Sequence, residues 1–232
     1  KDCSGCYRNN CINNLDMKNE QTNTSESKAM TLTPTSWFPT VIYAGLNENV
    51  DCKFLKETAL YWQSVEPAPT YSMNSNDGGW HSRSIEIIDA VEDKLKDGIV
   101  AFKNEIDNVI EEVRKEMGFP ELKFQNFWIN VNGYGASHKF HNHPESLLSG
   151  VFYIDIPNDN TSNIEFQRND VAEYYIPQNL KSYNHITCIE ATYKPQTGLM
   201  LVFPSWTRHG VTTNKGNGNR IAVSFNYGVV TG

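Results

Sequence analysis

Residues 137–153 read SHKFHNHPESLLSGVFY, and this stretch decides how the rest of the chain is interpreted. Three of the six histidines of the chain lie within six residues here, and an apolar run ending in Tyr153 follows. In an extended strand, residues i and i+2 point to the same face, so His141 and His143 can both reach one metal ion at about 2.1 Å. Two such histidines are by themselves more often surface or core residues, so the interpretation depends on what surrounds them.

Short segments rich in β-branched and aromatic residues fill the chain after Pro120. They read KFQNFWINV, SLLSGVFYIDI, NIEFQ, ITCIEATY, GLMLVFP, GVTT and RIAVSFNYGVV. Many short strands in one run, with helices mainly before them, predict an α+β fold that is mainly β. We expect a jelly roll, or double-stranded β-helix, with the N-terminal helices packed on its major sheet.

Two helical segments precede these strands. Residues 51–63, DCKFLKETALYWQ, carry apolar side chains at helical spacing, and so does the segment from about Ile85 to Met117. Gly98 suggests a break between two helices in the longer segment, which ends at Gly118 and Pro120. We expect these helices to pack against the sheet rather than to carry chemistry.

Composition limits the class of protein. The chain has 232 residues, a formal net charge of −7 and a sequence pI of about 5.4, which argues against a chain-wide nucleic-acid surface. No window approaches the roughly 20 apolar residues of a membrane span, and the first residues lack the apolar centre of a signal peptide. These features predict a cytoplasmic protein that binds neither nucleic acid nor membranes.

The first 29 residues differ from the rest because they contain almost no large aliphatic side chains. Such a segment cannot bury enough apolar surface to fold, so we predict a disordered extension over residues 1–29 and one domain over residues 30–232. Cys3, Cys6 and Cys11 lie in the extension, but a structural zinc site needs four ligands and the fourth is missing.

Two residues late in the chain strengthen the metal interpretation. His209 lies in FPSWTRHGV, just after the apolar strand GLMLVFP, and strands distant in sequence pair in a jelly roll. Arg220 begins the strand RIAVSFN, on which one face carries Arg220, Ala222, Ser224 and Asn226. An arginine at the start of an inward face, one strand from a metal-binding histidine, is well placed to hold a carboxylate in a bidentate pair.

Together these residues resemble the iron(II)- and 2-oxoglutarate-dependent oxygenases. More narrowly, HNHPESLLSGVFY resembles the H-x-H-P-x-S-x-x-S-G-V-Y-Y signature of a bacterial and phage family of 2-oxoglutarate oxygenases. The similarity runs from about Thr31 to Asn226 and includes IEF, KPQTGLMLVFPSWTRHGV, RIAVSFN, the SNDGGW loop and the opening WFPTVIY. The prolyl hydroxylases are similar more distantly, through the order of a His-x-acid pair, a strand ending in tyrosine, a late histidine and an arginine.

The resemblance implies roles for particular residues. His141 matches the first metal ligand and His209 the distal one, while Arg220 matches the residue that holds the far carboxylate of 2-oxoglutarate. Tyr153 matches a tyrosine that hydrogen-bonds this carboxylate in prolyl hydroxylases. The superfamily often adds a serine two residues after the arginine. This chain has alanine there, so Ser224 on the same face, or Tyr153, takes its place.

The carboxylate of the usual triad of two histidines and one acid is absent from its position, where this chain has His143. In one alternative, His141, His143 and His209 form an all-imidazole face. In the other, His143 and Glu145 join His209 in a conventional triad. The first is preferred because the family signature keeps its two histidines and varies at the position of Glu145. His138 is expected near the site or on the surface.

The resemblance implies a 2-oxoglutarate-dependent non-haem iron dioxygenase with Fe(2+) and 2-oxoglutarate as cofactors. Dioxygen and 2-oxoglutarate would be consumed, and succinate, carbon dioxide and an oxidised C–H bond would be formed. The substrate would be a peptide side chain, such as proline, or a small molecule, and the chain could form a homodimer. Two other classes predict no 2-oxoglutarate turnover, namely a cupin-like metal-binding jelly roll and a non-catalytic interaction or structural domain.

Overall fold

The computed structural model of this protein describes residues 38–66, 75–177 and 179–230. The predicted disordered extension and its three cysteines lie outside these ranges, as does the expected start of the domain near Met30. Within the described residues, no helix is both long enough and apolar enough to cross a membrane.

The described residues form eleven strands, two α-helices and two short 3-10 helices. In chain order these are β1 (Tyr43–Leu46), α1 (Cys52–Val65), β2 (Asn76–Asp77), β3 (Trp80–His81), a 3-10 helix (Ile88–Ala90), α2 (Asp93–Glu116), β4 (Leu122–Asn132), β5 (Ser137–His141), β6 (Leu148–Asp155), β7 (Ile164–Gln167), a second 3-10 helix (Val171–Tyr174), β8 (Glu190–Tyr193), β9 (Leu199–Pro204), β10 (His209–Val211) and β11 (Arg220–Val229).

The strands form two antiparallel sheets. The larger sheet has the order β1-β9-β6-β11-β4-β3, and the smaller has the order β2-β5-β10-β7-β8. The prediction of a mainly β chain with its helices before most of the strands is therefore confirmed. Because strands distant in sequence are neighbours in both sheets, the end of β5 lies beside the start of β10. These are the two places where the sequence carries its candidate metal-binding histidines.

Side-chain alternation along the central strands divides the core in two. One core lies between the larger sheet and the helices, and the β11 residues in it are Ile221, Val223, Phe225 and Tyr227. The other core contains side chains of both sheets, including Val151, Tyr153 and Ala222. The opposite face of β11 lines a cavity. Its residues are the ones predicted to share a face, namely Arg220, Ala222, Ser224 and Asn226.

Both helices pack on the larger sheet, as predicted. The Asp51 side chain caps α1 by accepting a 2.9 Å hydrogen bond from the Phe54 backbone N–H. Leu55, Ala59 and Trp62 are then buried on one face of the helix, which contacts β4 and β6. The second helix, α2, contacts α1 and β4. The helices thus cover the side of the sheet that faces away from the cavity.

Gly98 does not break the long helix, so that prediction was wrong. The helix α2 continues through Gly98, and a Cβ atom there would lie 2.3 Å from the Phe54 ring of α1. The glycine is explained by the close approach of the two helices rather than by a turn. The helix also begins later than predicted, because Ile85 forms an isolated β-bridge with Phe127 and a 3-10 turn follows.

Gly150, the glycine of the SGVFY motif, has a packing role in the centre of the larger sheet. A Cβ atom at this position would lie 2.3 Å from the Phe225 ring and 2.7 Å from the Leu201 carbonyl oxygen. No larger residue fits between these neighbours without displacing β9 or β11. The motif therefore constrains the sheet from which Tyr153 projects into the inner core.

Candidate metal and cofactor site

Three histidines meet where β5 and β10 adjoin. His141 ends β5 and is the direct cross-strand partner of His209, which begins β10. His143 follows two residues later, just beyond the strand rather than within it, and its backbone N–H donates to the Ser205 carbonyl oxygen at 2.9 Å. One ligand atom from each imidazole lies within 4.8 Å of the others. This spacing fits three ligands on one face of a single ion.

Each of the three imidazole rings is oriented by a hydrogen bond to a neighbouring group. The Nδ1 atom of His141 lies 2.8 Å from the Lys139 carbonyl oxygen, and Nδ1 of His209 lies 2.9 Å from the Thr207 carbonyl oxygen. The His143 ring hydrogen-bonds the Asn226 side chain. An imidazole that donates from one nitrogen presents the other as a lone pair, and such outer bonds commonly orient metal-binding histidines.

The Asn226 side chain that contacts His143 is itself held by buried hydroxyl groups, and an aromatic ring packs on the imidazole. The Ser149 hydroxyl donates to Asn226 Oδ1 at 2.7 Å and lies 2.8 Å from the Ser205 hydroxyl. The Trp128 ring stacks on His143 with a centroid separation of 5.7 Å and an interplanar angle of 16°. Sequence reasoning placed Asn226 on the correct face of its strand without assigning it a role, and it missed Trp128 and Ser149. No spacing pattern marks such residues.

Glu145, the carboxylate of the alternative triad, does not join the cluster. Its backbone is in the left-handed region with φ 75°, and the residue is exposed. Its carbonyl oxygen accepts a hydrogen bond from Gln125 Nε2 at 2.9 Å. Among the described residues, the group with metal-binding geometry here is His141, His143 and His209. The geometry therefore favours the all-imidazole alternative.

Burial lowers the pKa of all three histidines. The pKa of His143 falls to about 4 and that of His209 to about 3, mainly by desolvation and further by repulsion from neighbouring imidazoles. Desolvation also lowers the pKa of His141, although its hydrogen bond to the Lys139 carbonyl opposes the shift. Only neutral imidazole binds a metal ion, so near neutral pH the cluster is already in its binding form.

A buried arginine lies at another part of the same cavity. Arg220 is 3% exposed, and in the described chain no carboxylate forms an ion pair with it. Its Nε atom and the hydroxyl of the fully buried Tyr153 have no hydrogen-bond partner. The guanidinium carbon lies 5.9 Å from the centre of the Tyr153 ring. A buried cation with an unpaired Nε–H and, beside it, an unpaired tyrosine hydroxyl form a site that suits a carboxylate.

Ser224 also lines this cavity, as the sequence predicted. Its hydroxyl oxygen accepts a 3.2 Å hydrogen bond from Asn130 Nδ2. The accepted bond leaves the hydroxyl hydrogen of Ser224 available to a ligand. Asn130 itself was not anticipated, and its buried Oδ1 atom has no partner in the described chain.

One cavity of about 950 Å³ contains the histidine cluster and the arginine site together. Its lining includes all six predicted site residues, namely Tyr153, His141, His143, His209, Arg220 and Ser224. A volume of this size accommodates a small dicarboxylate together with part of a second substrate. The residues present therefore fit a ferrous ion and 2-oxoglutarate.

His138 lines this cavity as well, because β5 contains a bulge. Val211 pairs with His138, and His209 pairs with His141. The two paired positions are therefore three residues apart in β5 but only two residues apart in β10. The extra residue breaks the strict alternation of side chains, and both His138 and His141 then face the cavity. His138 Nε2 lies 3.3 Å from Asn132 Nδ2, so of the two expected locations this histidine occupies the one near the site.

Comparisons with known proteins agree with this geometry. Residues 126–226 match the family model described as "Putative 2OG-Fe(II) oxygenase". Among curated proteins, none matches this sequence. A prolyl hydroxylase from Trichoplax adhaerens, solved with a hypoxia inducible factor peptide fragment, has a TM-score of 0.58 at 16% identity, covering 80% of this chain and 82% of that one.

Two further structures are similar at the level of the fold. A Pseudomonas putida prolyl-4-hydroxylase has a TM-score of 0.55 at 12% identity, covering 83% of this chain and 94% of the other. The epimerase SnoN, solved with Fe3+, alpha ketoglutarate and nogalamycin RO, has a TM-score of 0.55 at 12% identity and covers 83% and 80%.

The family match, the fold and the site geometry agree on one class of protein, the 2-oxoglutarate- and iron(II)-dependent oxygenases. More particularly, the segment that carries every predicted site residue, 126–226, matches the 2OG-Fe(II) oxygenase family anticipated from HNHPESLLSGVFY. The expected enzyme class and its cofactors, Fe(2+) and 2-oxoglutarate, are thereby confirmed.

Proposed function

We propose that this chain is a hydroxylase in which His141, His143 and His209 hold ferrous iron and Arg220 binds the far carboxylate of 2-oxoglutarate. Tyr153 and Ser224 contribute hydrogen bonds to that carboxylate. In this proposal, the two antiparallel sheets are the halves of a double-stranded β-helix that encloses the site.

The observation that carries the proposal is the buried Arg220 in the same cavity as the histidine cluster. Burial lowers the pKa of this guanidinium, which means that the folded chain disfavours its charge. Such a site is costly unless a bound anion compensates it. A cupin-like metal site does not need this arginine, and an interaction domain needs neither the arginine nor the clustered imidazoles.

Iron with 2-oxoglutarate supplies oxidation of a C–H bond by dioxygen. The protein contributes binding and orientation. Backbone carbonyls and Asn226 hold the imidazoles, and Arg220 determines which end of the dicarboxylate points away from the metal. The surrounding core limits access of water to the site.

The substrate is proposed as a peptide side chain, prolyl residues included, or a small molecule. Two structures of similar fold are prolyl hydroxylases, one of them bound to a peptide, and a third is an epimerase bound to nogalamycin RO. A homodimer and a cytoplasmic location remain predictions.

Calorimetry tests the cofactor assignment. The wild-type protein with Mn(II), which avoids turnover, should bind 2-oxoglutarate, and Arg220→Leu should weaken this binding about 100-fold while metal affinity stays the same. Arg83→Leu is the matched control, because Arg83 forms a surface ion pair with Glu66. Metal binding without 2-oxoglutarate binding would favour the cupin-like class, and absence of both would favour an interaction domain. With Fe(II) and air, slow formation of succinate is expected even without substrate.

A further inference from the structure

The SNDGGW segment, residues 75–80, contains none of the residues proposed to bind the metal or 2-oxoglutarate, so its role is still to be explained. It forms the short strands β2 and β3, of which β2 pairs with β5 and β3 with β4. It therefore joins the edges of both sheets at the side of the cavity. Its Asn76 and Gly79 contact a residue that is the immediate neighbour of Arg220.

That residue is Asn132, the direct cross-strand partner of Arg220 in the ladder between β4 and β11. Asn132 is 2% exposed, and its Oδ1 atom accepts a 3.1 Å hydrogen bond from Arg220 Nη2. With Nη2 held, the guanidinium plane is fixed while Nε remains without a partner. The orientation of Arg220 thus depends on which way the Asn132 carboxamide points.

The orientation of the Asn132 carboxamide is determined by the contacts of its Nδ2 atom. Asn132 Nδ2 lies 3.3 Å from His138 Nε2 and 3.5 Å from Asn76 Oδ1. Asn76 is itself oriented, because its Nδ2 donates to the Gly79 carbonyl oxygen at 2.8 Å. Burial and the nearby Arg220 charge hold the pKa of His138 well below its usual value, so Nε2 can accept. A reversed carboxamide would direct its NH2 group at the guanidinium and its Oδ1 atom at Asn76 Oδ1, so the bonds to Arg220 and Asn76 would be lost.

Gly79 is required at its position for the same reason. A Cβ atom there would lie 2.1 Å from Asn132 Nδ2 and 3.0 Å from Asn76 Oδ1. Any other residue would displace the Asn132 carboxamide from its place between the hairpin and Arg220. The glycine thus links the sequence of the hairpin to the geometry of the arginine.

We infer that Asn132 is a positioning residue for Arg220, and that the Asn76–Gly79 hairpin sets its orientation and thereby the preference for a second carboxylate on the cofactor. The inference rests on the proposed function, because it assumes that Arg220 binds the far carboxylate of 2-oxoglutarate. It adds a contribution from outside the matched segment 126–226 to cofactor recognition. Asn132 acts through Arg220 and need not touch the cofactor.

The test compares two 2-oxo acids on the Mn(II)-loaded protein by calorimetry. 2-Oxobutanoate has the keto acid of 2-oxoglutarate but lacks the second carboxylate. The dissociation constant of 2-oxobutanoate divided by that of 2-oxoglutarate therefore isolates the contribution of the Arg220 site. Asn132→Leu and Gly79→Ala should each reduce this ratio about 10- to 100-fold, since a hydrogen bond to a charged group is lost. Binding of 2-oxobutanoate and of Mn(II) should be unchanged.

Matched variants guard against a general loss of structure. Gly45→Ala is the control for Gly79→Ala, because nothing lies within 4 Å of a Cβ atom at Gly45. Asn132→Asp keeps the side-chain shape, yet it should also reduce the ratio because its carboxylate would compete for Arg220.

Each outcome is decisive. A wild-type ratio well above one with reduced ratios in Asn132→Leu, Asn132→Asp and Gly79→Ala supports the inference. A wild-type protein that binds neither 2-oxo acid overturns the proposed function and the inference with it. Normal wild-type selectivity that persists in Asn132→Leu and Gly79→Ala overturns the inference alone, and so does an equal weakening of both 2-oxo acids.

Discussion

Tyr153 carries a hydroxyl group that costs the free protein stability. This hydroxyl is buried without a hydrogen-bond partner, and burial raises its pKa to about 12. Tyr153→Phe should therefore raise the free energy of unfolding of the cofactor-free protein by about 1 kcal/mol, yet weaken 2-oxoglutarate binding about tenfold. Chemical denaturation and calorimetry measure the two effects.

Tyr227→Phe is the matched control for this prediction. The Tyr227 hydroxyl donates to Asp107 Oδ1 at 2.6 Å, between β11 and α2. Its removal should lower stability and leave 2-oxoglutarate binding unchanged, which is the opposite pattern. If Tyr153→Phe behaved like Tyr227→Phe, the assignment of Tyr153 to the cofactor site would be wrong.

The two candidate triads make different predictions for single alanine variants. His141 is half-buried and belongs to the cluster, whereas Glu145 is exposed and outside it. His141→Ala should lower Mn(II) or Fe(II) affinity at least about 100-fold, and Glu145→Ala should change it less than about threefold. Metal titration by calorimetry measures both. Loss of metal binding in Glu145→Ala with retention in His141→Ala would establish the conventional triad instead.

Sequence reasoning found the residues whose type and order are distinctive and missed those whose role comes from register. Three histidines, the tyrosine of SGVFY and a strand beginning with arginine were enough to predict a candidate site, and the structure places these residues in one cavity. Asn132 could not be assigned, because its role depends on its pairing with Arg220 across two strands about 90 residues apart. His138 could not be placed either, since strict alternation does not reveal the bulge that turns it inward.

Between the two helices, Gly98 illustrates how element packing can override local preference. Alanine is favoured over glycine in a helix by about 1 kcal/mol, but a Cβ atom here would lie 2.3 Å from the Phe54 ring. Gly98→Ala should therefore destabilise the protein by about 1–3 kcal/mol, because the contact would be overpacked. In the Phe54→Ala background, the same substitution should be neutral or stabilising. Denaturant unfolding of the four proteins measures this coupling, and its absence would contradict the packing explanation.

The sequence pattern predicted a helix break at Gly98 because this glycine interrupts an apolar periodicity that otherwise describes α2 well. A glycine inside a helical pattern can mark either a break or a close contact, and sequence alone does not show the neighbouring element. Once Phe54 of α1 is placed against it, the second explanation is sufficient. The ends of the helices were likewise less well predicted than their existence, as expected where capping and short 3-10 turns decide the boundary.

At the scale of the whole molecule, the buried histidines make stability depend on pH. The pKa values of five histidines are lowered by burial: His81, His138, His141, His143 and His209. Below about pH 6.5 the unfolded chain binds protons at these positions and the folded chain does not, so the free energy of unfolding decreases as pH falls. The loss should continue toward pH 4, where His143 begins to titrate in the folded state.

Denaturant unfolding of the metal-free protein between pH 8 and pH 5 measures this effect. Each unit of pKa shift is worth about 1.4 kcal/mol, so the combined loss should reach several kcal/mol. Bound Mn(II) or Zn(II) should add a nearly constant increment of stability over this range, because the imidazoles of the folded cluster are already neutral there. A His143→Asn variant should show a shallower dependence without metal. A stability that stays constant over this range would contradict the prediction.

The bulge in β5 implies that this site is sensitive to insertions and deletions in a way that substitutions do not reveal. His138 and His141 both face the cavity because one more residue separates them than the partner strand requires. Deleting Lys139 would remove no side chain that lines the cavity, yet regular alternation would return and one of the two histidines would turn away. The distance along the chain between these histidines is therefore as much a part of the site as the imidazoles themselves.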